Sequence, residues 1–259
     1  MIGYFAAHPA AWQWRIGDGL QRIAQAENAI AARDWWAKQA ELARSLGASQ
    51  IAASHDAFNL SRTDSARPAA LAAEAITTLI NVRPDLPLRL RRPWSADYVL
   101  ALYALLSGLL AAERSSYRPP IVSGIGLATA DQQRWQMGEQ YGELLNQYYG
   151  DSEVQSNFLV EAIGGLHRAG AGGAWLALFA DPPRSLWRAA PLDRSQPWRR
   201  LGLVGDDGHQ KPAAAMVKQA IATIRANGSR IAGSPSVLDL DPERYWHDPG
   251  ATLQRLIDG

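Results

Sequence analysis

The sequence predicts one α/β domain built around a parallel sheet. Three observations point there. Short apolar runs alternate with longer segments of helical spacing, the pattern of repeated strand–helix units. Gly47, the joint from Gly170 to Gly173, Pro120 and Pro212 mark segment boundaries. No internal repeat, low-complexity tract or linker divides the 259 residues, a length that fits one large domain.

Taken in order, residues 11–17 read as a strand. Residues 28–46 read as a helix with Trp35, Trp36, Leu42 and Leu46 on a recurring face, stopped by Gly47. A short strand is expected at 50–54, a helix at 68–80 and a strand at 86–90. Residues 96–114 form the next expected helix. Its stretch 99–112 is the most apolar of the chain but is about 14 residues long, short of the ~20 a membrane-spanning helix needs. Prolines open a strand at 120–124. Helices are expected at 132–149 and 153–168, the second running into the glycine-rich joint 170–173. A last strand at 174–180 and a closing helix at 212–226 complete the pattern.

Composition excludes several classes. There are no cysteines, hence no disulfide, thiolate metal site or cysteine nucleophile. Hydrophobic content of 47% with 20% charged residues supports a substantial core without cross-links. A formal charge of +1 gives no general attraction to nucleic acid or anionic membrane. The N-terminus has no basic region followed by an apolar run, so no signal peptide is expected, and the compartment stays open. Ten tryptophans supply large aromatic areas for packing or for stacking on sugars.

The apolar run Gly173 to Asp181, the segment Leu192-Asp193-Arg194-Ser195 and the run from Leu201-Gly202-Leu203 to Asp206-Asp207-Gly208 and Lys211-Pro212 carry the most specific signal. Together they resemble the closing segment of cellulase- and mannanase-like glycoside hydrolases, built on the (β/α)8 barrel. Residues 238–249 are reminiscent of the tail of relatives in that group. The resemblance implies an incomplete or degenerate (β/α)8 TIM-barrel-like fold holding the fourth to eighth strands, with residues 4–10 at the end of the third helix. Five strands leave open edges that a closed barrel lacks. A protein partner, or self-association, is therefore expected to complete the sheet.

Retaining glycosidases place two carboxylates about 5–5.5 Å apart, one as acid/base and one as nucleophile. The resemblance places the acid/base after a Trp-x-Leu-Gly-Asn-Glu run. Here Trp14 to Gly19 matches, with Asp18 at the asparagine and Gly19 at the glutamate. The nucleophile pattern Glu-Phe-Gly is matched by Gly124-Ile125-Gly126, so Gly124 stands at that position. Ala177 falls where the family carries a tryptophan platform. The sixth-strand His-x-Tyr pair has Arg91 to Trp94 as its nearest counterpart. Glu27, eight residues beyond Gly19, reads as a residue at the start of a helix. The resemblance thus implies a lost hydrolytic apparatus on a kept scaffold.

Other signals are weaker. Gly124-Ile125-Gly126 resembles the opening of a dinucleotide fingerprint, but an acidic residue on a following strand is missing and 132–149 is expected to be helical. His55-Asp56 follows an expected strand, at the end where barrel enzymes keep functional groups. His8, His167, His209 and His247 have no metal-ligand spacing. Asp206-Asp207-Gly208 is a turn without a calcium-ligand series, and no Gly-x-Ser-x-Gly elbow occurs. Arg83, Arg89, Arg91 and Arg92 cluster near Trp94 and suit a partner's carboxylates. The expected function is a catalytically inactive, glycoside-hydrolase-like structural or interaction subunit, without cofactor, metal, nucleic acid or membrane span. The alternatives are a non-hydrolytic carbohydrate-binding protein stacking sugars on Trp94, Trp135, Trp187 or Trp198, and a residual glycosidase acting on β-linked polysaccharide through Asp18, His55, Asp56 or Asp181.

Overall fold

A computed structural model describes residues 38, 41–47, 52–56, 77–81, 95–113, 118–140, 143–190, 192–194, 196–227 and 249–258. The described chain runs β1 (Ala52–Asp56), β2 (Thr77–Asn81), α1 (Asp97–Glu113), β3 (Ile121–Ile125), β4 (Arg134–Gln140), β5 (Glu143–Tyr149), α2 (Ser152–Arg168) and β6 (Gly173–Leu176). Three 3₁₀ turns follow at Arg184–Leu186, Leu192–Arg194 and Gln196–Arg199, then α3 (Pro212–Ala226) and α4 (Pro249–Asp258).

Four strands form a parallel sheet in the order β1-β2-β3-β6. Each strand lies beside the previous member of the sheet, with no reversal of order. That order is common to a run of barrel units and to an open, singly wound sheet, and it differs from doubly wound folds, where the order turns back. The described residues show no closed barrel.

Side-chain alternation explains which face is covered. Val122, Ile125, Ala174 and Leu176 face the helices and join one core with Tyr98, Val99 and Leu102 of α1, Phe158 and Leu159 of α2, Val217 of α3 and Ile257 of α4. Trp175, between Ala174 and Leu176, faces the other way and is 48% exposed. Val122 and Ile125 are three apart yet both buried because the ladder to β6 shifts register between them. Gly124 sits in that irregularity with φ 76°, a left-handed value that a side chain resists.

The apolar stretch predicted as a buried helix is α1, and its Tyr98 ring stacks on Phe158 at 6.4 Å. α3 begins at Pro212 as expected, where a missing N–H costs nothing. Two expectations fail. Residues 132–149 are not a helix but an antiparallel hairpin, β4 on β5, with Trp135 opposite Tyr148. Leu144, Leu145 and Tyr148 imitate helical spacing, but Trp135 and Met137 alternate with Arg134 and Gln136, and pairing follows that alternation. The expected helix at 68–80 is likewise overruled at its end, because Thr77–Asn81 is β2 and fills the place between β1 and β3 assigned to 86–90. α4 was not expected. The expected strands at 11–17 and 86–90 and the tail from 238 to 248 lie outside the described residues.

Asp151 ties the hairpin to α2. Its Oδ1 accepts the N–H groups of Glu153 (3.1 Å) and Val154 (2.9 Å), and its Oδ2 accepts the amide of Gln133 (2.8 Å). Gln133 in turn accepts the Tyr148 hydroxyl at 2.9 Å. The Val154 N–H, then Gln133, hold the Asp151 carboxyl below its ordinary value of 3.8. Asp151→Ala is expected to cost about 0.5–2 kcal/mol, as lost caps do. Because the folded pKa is depressed, the cap's contribution is full above pH 3.8 and disappears as pH falls through the lower folded value. Urea unfolding of both proteins at neutral pH and at pH 3 checks this: the gap between them narrows in acid.

Candidate functional site

Two loops meet beyond the C-terminal ends of β3 and β6. The first runs from Gly126 to Asp131, the second from Ala177 to Lys211. The second is stitched by parallel bridging of Ala180 to Val204 and antiparallel bridging of Val204 to Gln210. Where it passes Asp181, the chain comes so close that a Cβ on Gly202 would land on the backbone of Ala180 and Asp181. Only glycine allows that approach.

Asp181 and Lys211 close this loop. The carboxylate is nearly inaccessible, with 6% of its side chain exposed. Its Oδ1 accepts the Gly202 N–H at 2.7 Å and its Oδ2 meets the Lys211 ammonium at 2.8 Å. Lys211 Nζ also donates to Thr129 Oγ1 (3.0 Å) and to the Arg200 carbonyl (3.3 Å). All three ammonium protons are thereby used. Burial pushes the amine below the ordinary lysine value, aided by the Arg200 charge and opposed by Asp181 and Asp206.

The Arg200 carbonyl is a hub, accepting the N–H and hydroxyl of Thr129 as well as Lys211. Beneath it lies Gln155 of α2, fully buried, whose amide donates to the carbonyls of Leu127 (3.0 Å), Leu201 (3.4 Å) and Gly202 (3.3 Å). One helix and both loops are thus locked by polar groups that have little access to water.

Two further features stand beside this clasp. A cavity of about 520 Å³ is lined by Thr129, Asp131, Glu153, Arg200, His209 and Lys211, among others. The Trp187 ring carries three guanidiniums, those of Arg184 and Arg199 at 5.7 Å and of Arg200 at 5.5 Å from its centroid. The indole N–H donates to the Pro182 carbonyl at 2.9 Å, which holds the ring in place.

The structure separates the residues singled out in the sequence. Asp181 is drawn into the clasp, with one oxygen accepting the Gly202 N–H and the other paired to the Lys211 ammonium. Ala177 is half-buried against Ala128, Tyr149 and Leu201, and a Cβ built on Gly126 would lie 3.1 Å from its own. No tryptophan platform fits there without repacking. Gly124 lies within β3. His55 and Asp56 are the last two residues of β1 rather than the start of a loop, in register with Ile80 and Asn81. Asp18, Gly19, Glu27, Arg91 and Trp94 lie outside the described residues. Trp187 is covered by its arginines and Trp198 packs on the small cluster around Ala128, so neither is an open stacking surface. Trp175, Gln155 and the arginine cluster were not anticipated. Only Lys211 and Gly202 were marked, as parts of a motif.

Downstream of Gly124-Ile125-Gly126 comes a hairpin, so no helix N-terminus follows those glycines directly, as a dinucleotide site requires. Among the described residues no group of three or more His, Cys, Asp or Glu side chains could hold a metal. No helix among them is long and apolar enough to cross a membrane.

The sequence matches no protein-family model and no curated protein. Among solved structures it is similar to a GH2 β-galacturonidase from Eisenbergiella tayi, bound to galacturonate in one crystal structure and to glycerol in another. The identities are 18% and 17%, and the TM-scores 0.47 and 0.46. Each match covers 74% of this chain, which spans only 30% of the length of those chains. Neither likeness places the chain in a family.

The clasp makes a specific prediction. Lys211→Met leaves a buried, unpaired carboxylate and is expected to cost about 3–5 kcal/mol. Asp181→Asn combined with Lys211→Met is expected to be less damaging than the sum of the single changes, by 0.5 kcal/mol or more on the usual scale of coupled neighbours, roughly. Chemical denaturation of the four proteins gives the coupling directly, and simple additivity contradicts it.

Proposed function

We propose that this chain is a glycoside-hydrolase-like α/β protein without hydrolytic chemistry, serving as a structural or interaction subunit. One observation carries the reading: β6 ends the described sheet with an unpaired edge and exposed aromatics. The backbone groups of Gly172 and Ala177 donate back toward β3, to Pro120 and Ile125. On the far side no described strand pairs with β6. Trp175 is 48% exposed and Phe179, just beyond the strand, 77%. An unpaired edge with accessible large apolar side chains is a template for another strand. A segment laid along it would bury both rings, and specific interfaces commonly bury about 1,200–2,000 Å² in total.

Loss of hydrolysis is the second part of the proposal. The resemblance puts glycine at both catalytic positions, Gly19 and Gly124. The left-handed φ of Gly124 adds that a glutamate substituted there would be strained. Asp181, the remaining acid near β6, is committed to Lys211 and Gly202.

Carbohydrate binding without hydrolysis is the second reading, and Trp135 favours it. Its ring is 56% exposed and lies 5.4 Å from the Tyr148 ring, next to the polar chain Tyr148–Gln133–Asp151. A ring with planar polar neighbours is a sugar-stacking arrangement.

Native mass spectrometry of the protein, isolated gently from its source, tests the main reading. A defined assembly heavier than 28.2 kDa is expected, and Trp175→Ser with Phe179→Ser is expected to weaken it at least tenfold, as loss of a central aromatic contact does, roughly. A lone 28.2 kDa species contradicts the subunit role. Titration with β-linked oligosaccharides that perturbs Trp135 then supports the second reading.

A further inference from the structure

The β4–β5 hairpin is patterned inside out. An antiparallel sheet with one solvated face usually turns its apolar side chains to the core and its polar ones to water. Here Gln147 and Tyr149 are buried, with the Tyr149 hydroxyl donating to Gln147 at 3.2 Å. Gln136, opposite Gln147, donates to Gln196 at 3.3 Å. The alternate residues point outward. Trp135 is exposed and Met137 is 60% exposed, with Tyr148 and Asn146 opposite them in register. Tryptophan, tyrosine and methionine are enriched in protein interfaces, and a two-stranded sheet alone is only marginally stable.

This outward face runs into the 520 Å³ cavity. The Tyr148 hydroxyl donates to Gln133, whose amide donates to Asp151, and Asp151 lines the cavity. Burial, and after it the Asp151 charge, push the Tyr148 hydroxyl above its ordinary value of 10.0. The field of the cavity therefore reaches the hairpin, and the two form one surface.

Charge selects what that surface can take. Six acidic residues line the cavity, Asp131, Asp151, Glu153, Asp181, Asp206 and Asp207, beside Arg200, His209 and Lys211. Lys211 is paired with Asp181, Arg184 with Asp206, and His209 lies 3.2 Å from Asp207. Asp131 and Glu153 are exposed, and their carboxylates have no hydrogen bond or ion pair among the described residues. Such a border repels nucleic acid and anionic membrane. A cationic side chain with an apolar stem suits both parts, its charge at the carboxylates and its stem along the Trp135 ring.

We propose that the outward face of the β4–β5 hairpin and the adjoining acidic cavity dock a basic, apolar peptide segment of a partner protein. Its apolar side chains lie on Trp135 and Met137, and a lysine or arginine reaches Asp131 and Glu153. The surface uses none of the residues of the β6 edge, so an assembly built at that edge can fail without affecting it.

Methionine-methyl NMR of the full chain tests the proposal. The chain has three methionines, Met1, Met137 and Met216, so the Met137 methyl reports the face and Met216, on α3, serves as reference. The probes are octapeptides of alternating lysine and leucine, of glutamate and leucine, and of lysine and serine. Lysine–leucine is expected to move the Met137 methyl saturably and leave Met216 in place. Glutamate–leucine is expected to move neither, and lysine–serine to bind more weakly. Asp131→Asn combined with Glu153→Gln is expected to weaken lysine–leucine binding roughly two- to thirtyfold, the span of two exposed ion pairs. An unmoved Met137 methyl overturns the proposal, as does an equal response to the glutamate peptide or binding untouched by the double change. Movement of Met137 on concentrating the protein alone, or with a β-linked oligosaccharide and not with the peptide, gives the face to a second copy or to sugar and likewise overturns it. Should the double variant fail to fold, raising the ionic strength from about 0.05 to about 0.5 M with the unaltered protein decides. Weaker binding supports the acidic contact, and unchanged binding overturns it.

Discussion

The buried contact between Asp181 and Lys211 organises the C-terminal end of this fold. It joins the start of a long loop to the residue that precedes α3, across everything in between. A carboxylate with 6% of its side chain exposed is costly to desolvate, and an ion pair alone seldom recovers that cost. Here Thr129 and the Arg200 carbonyl take up the remaining ammonium protons, and the Gly202 N–H donates to the second carboxylate oxygen. Gln155 secures the same loops from below through three carbonyls. The Trp187 cluster, the cavity and the path of 177–211 all depend on this closure.

That dependence changes the meaning of the most specific part of the sequence. The Leu201 to Pro212 run carries the sequence's most specific pattern, and its residues perform folding tasks. Gly202 permits a close backbone approach, Asp207 accepts the His209 N–H at 3.0 Å, Gly208 takes φ 82°, Lys211 pairs and Pro212 starts the helix. These residues therefore have folding reasons to be where they are, separate from any chemistry.

Much of the fold was legible in the sequence where local and tertiary preferences agree. α1, β3, α2 and α3 were readable from apolar periodicity and from proline and glycine at their ends. The hairpin was not, because Leu144, Leu145 and Tyr148 lie at helical spacing and only pairing across the strands decides between the two periods. β2 was hidden at the end of a segment with helix-forming alanines and a glutamate, for the same reason. At the site, Asp181 and Ala177 were visible through the resemblance, but their roles were not. The Asp181–Lys211 contact, the Arg200 hub and the Trp187 cluster join residues from separate loops, and no spacing rule encodes them. The exposure of Trp175 likewise depends on which strand ends the sheet.

The clasp is most directly tested by the titration of the Lys211 amine. The chain has three lysines, Lys38, Lys211 and Lys218, so ¹³C-methylated amines give a resolvable NMR spectrum. The account predicts that Lys211 titrates below the ordinary lysine value of 10.5, and lower still in Asp181→Asn, where burial acts without its partner. Titration of Lys211 at the ordinary lysine value in both proteins would mean an amine in open water, and would contradict the buried clasp.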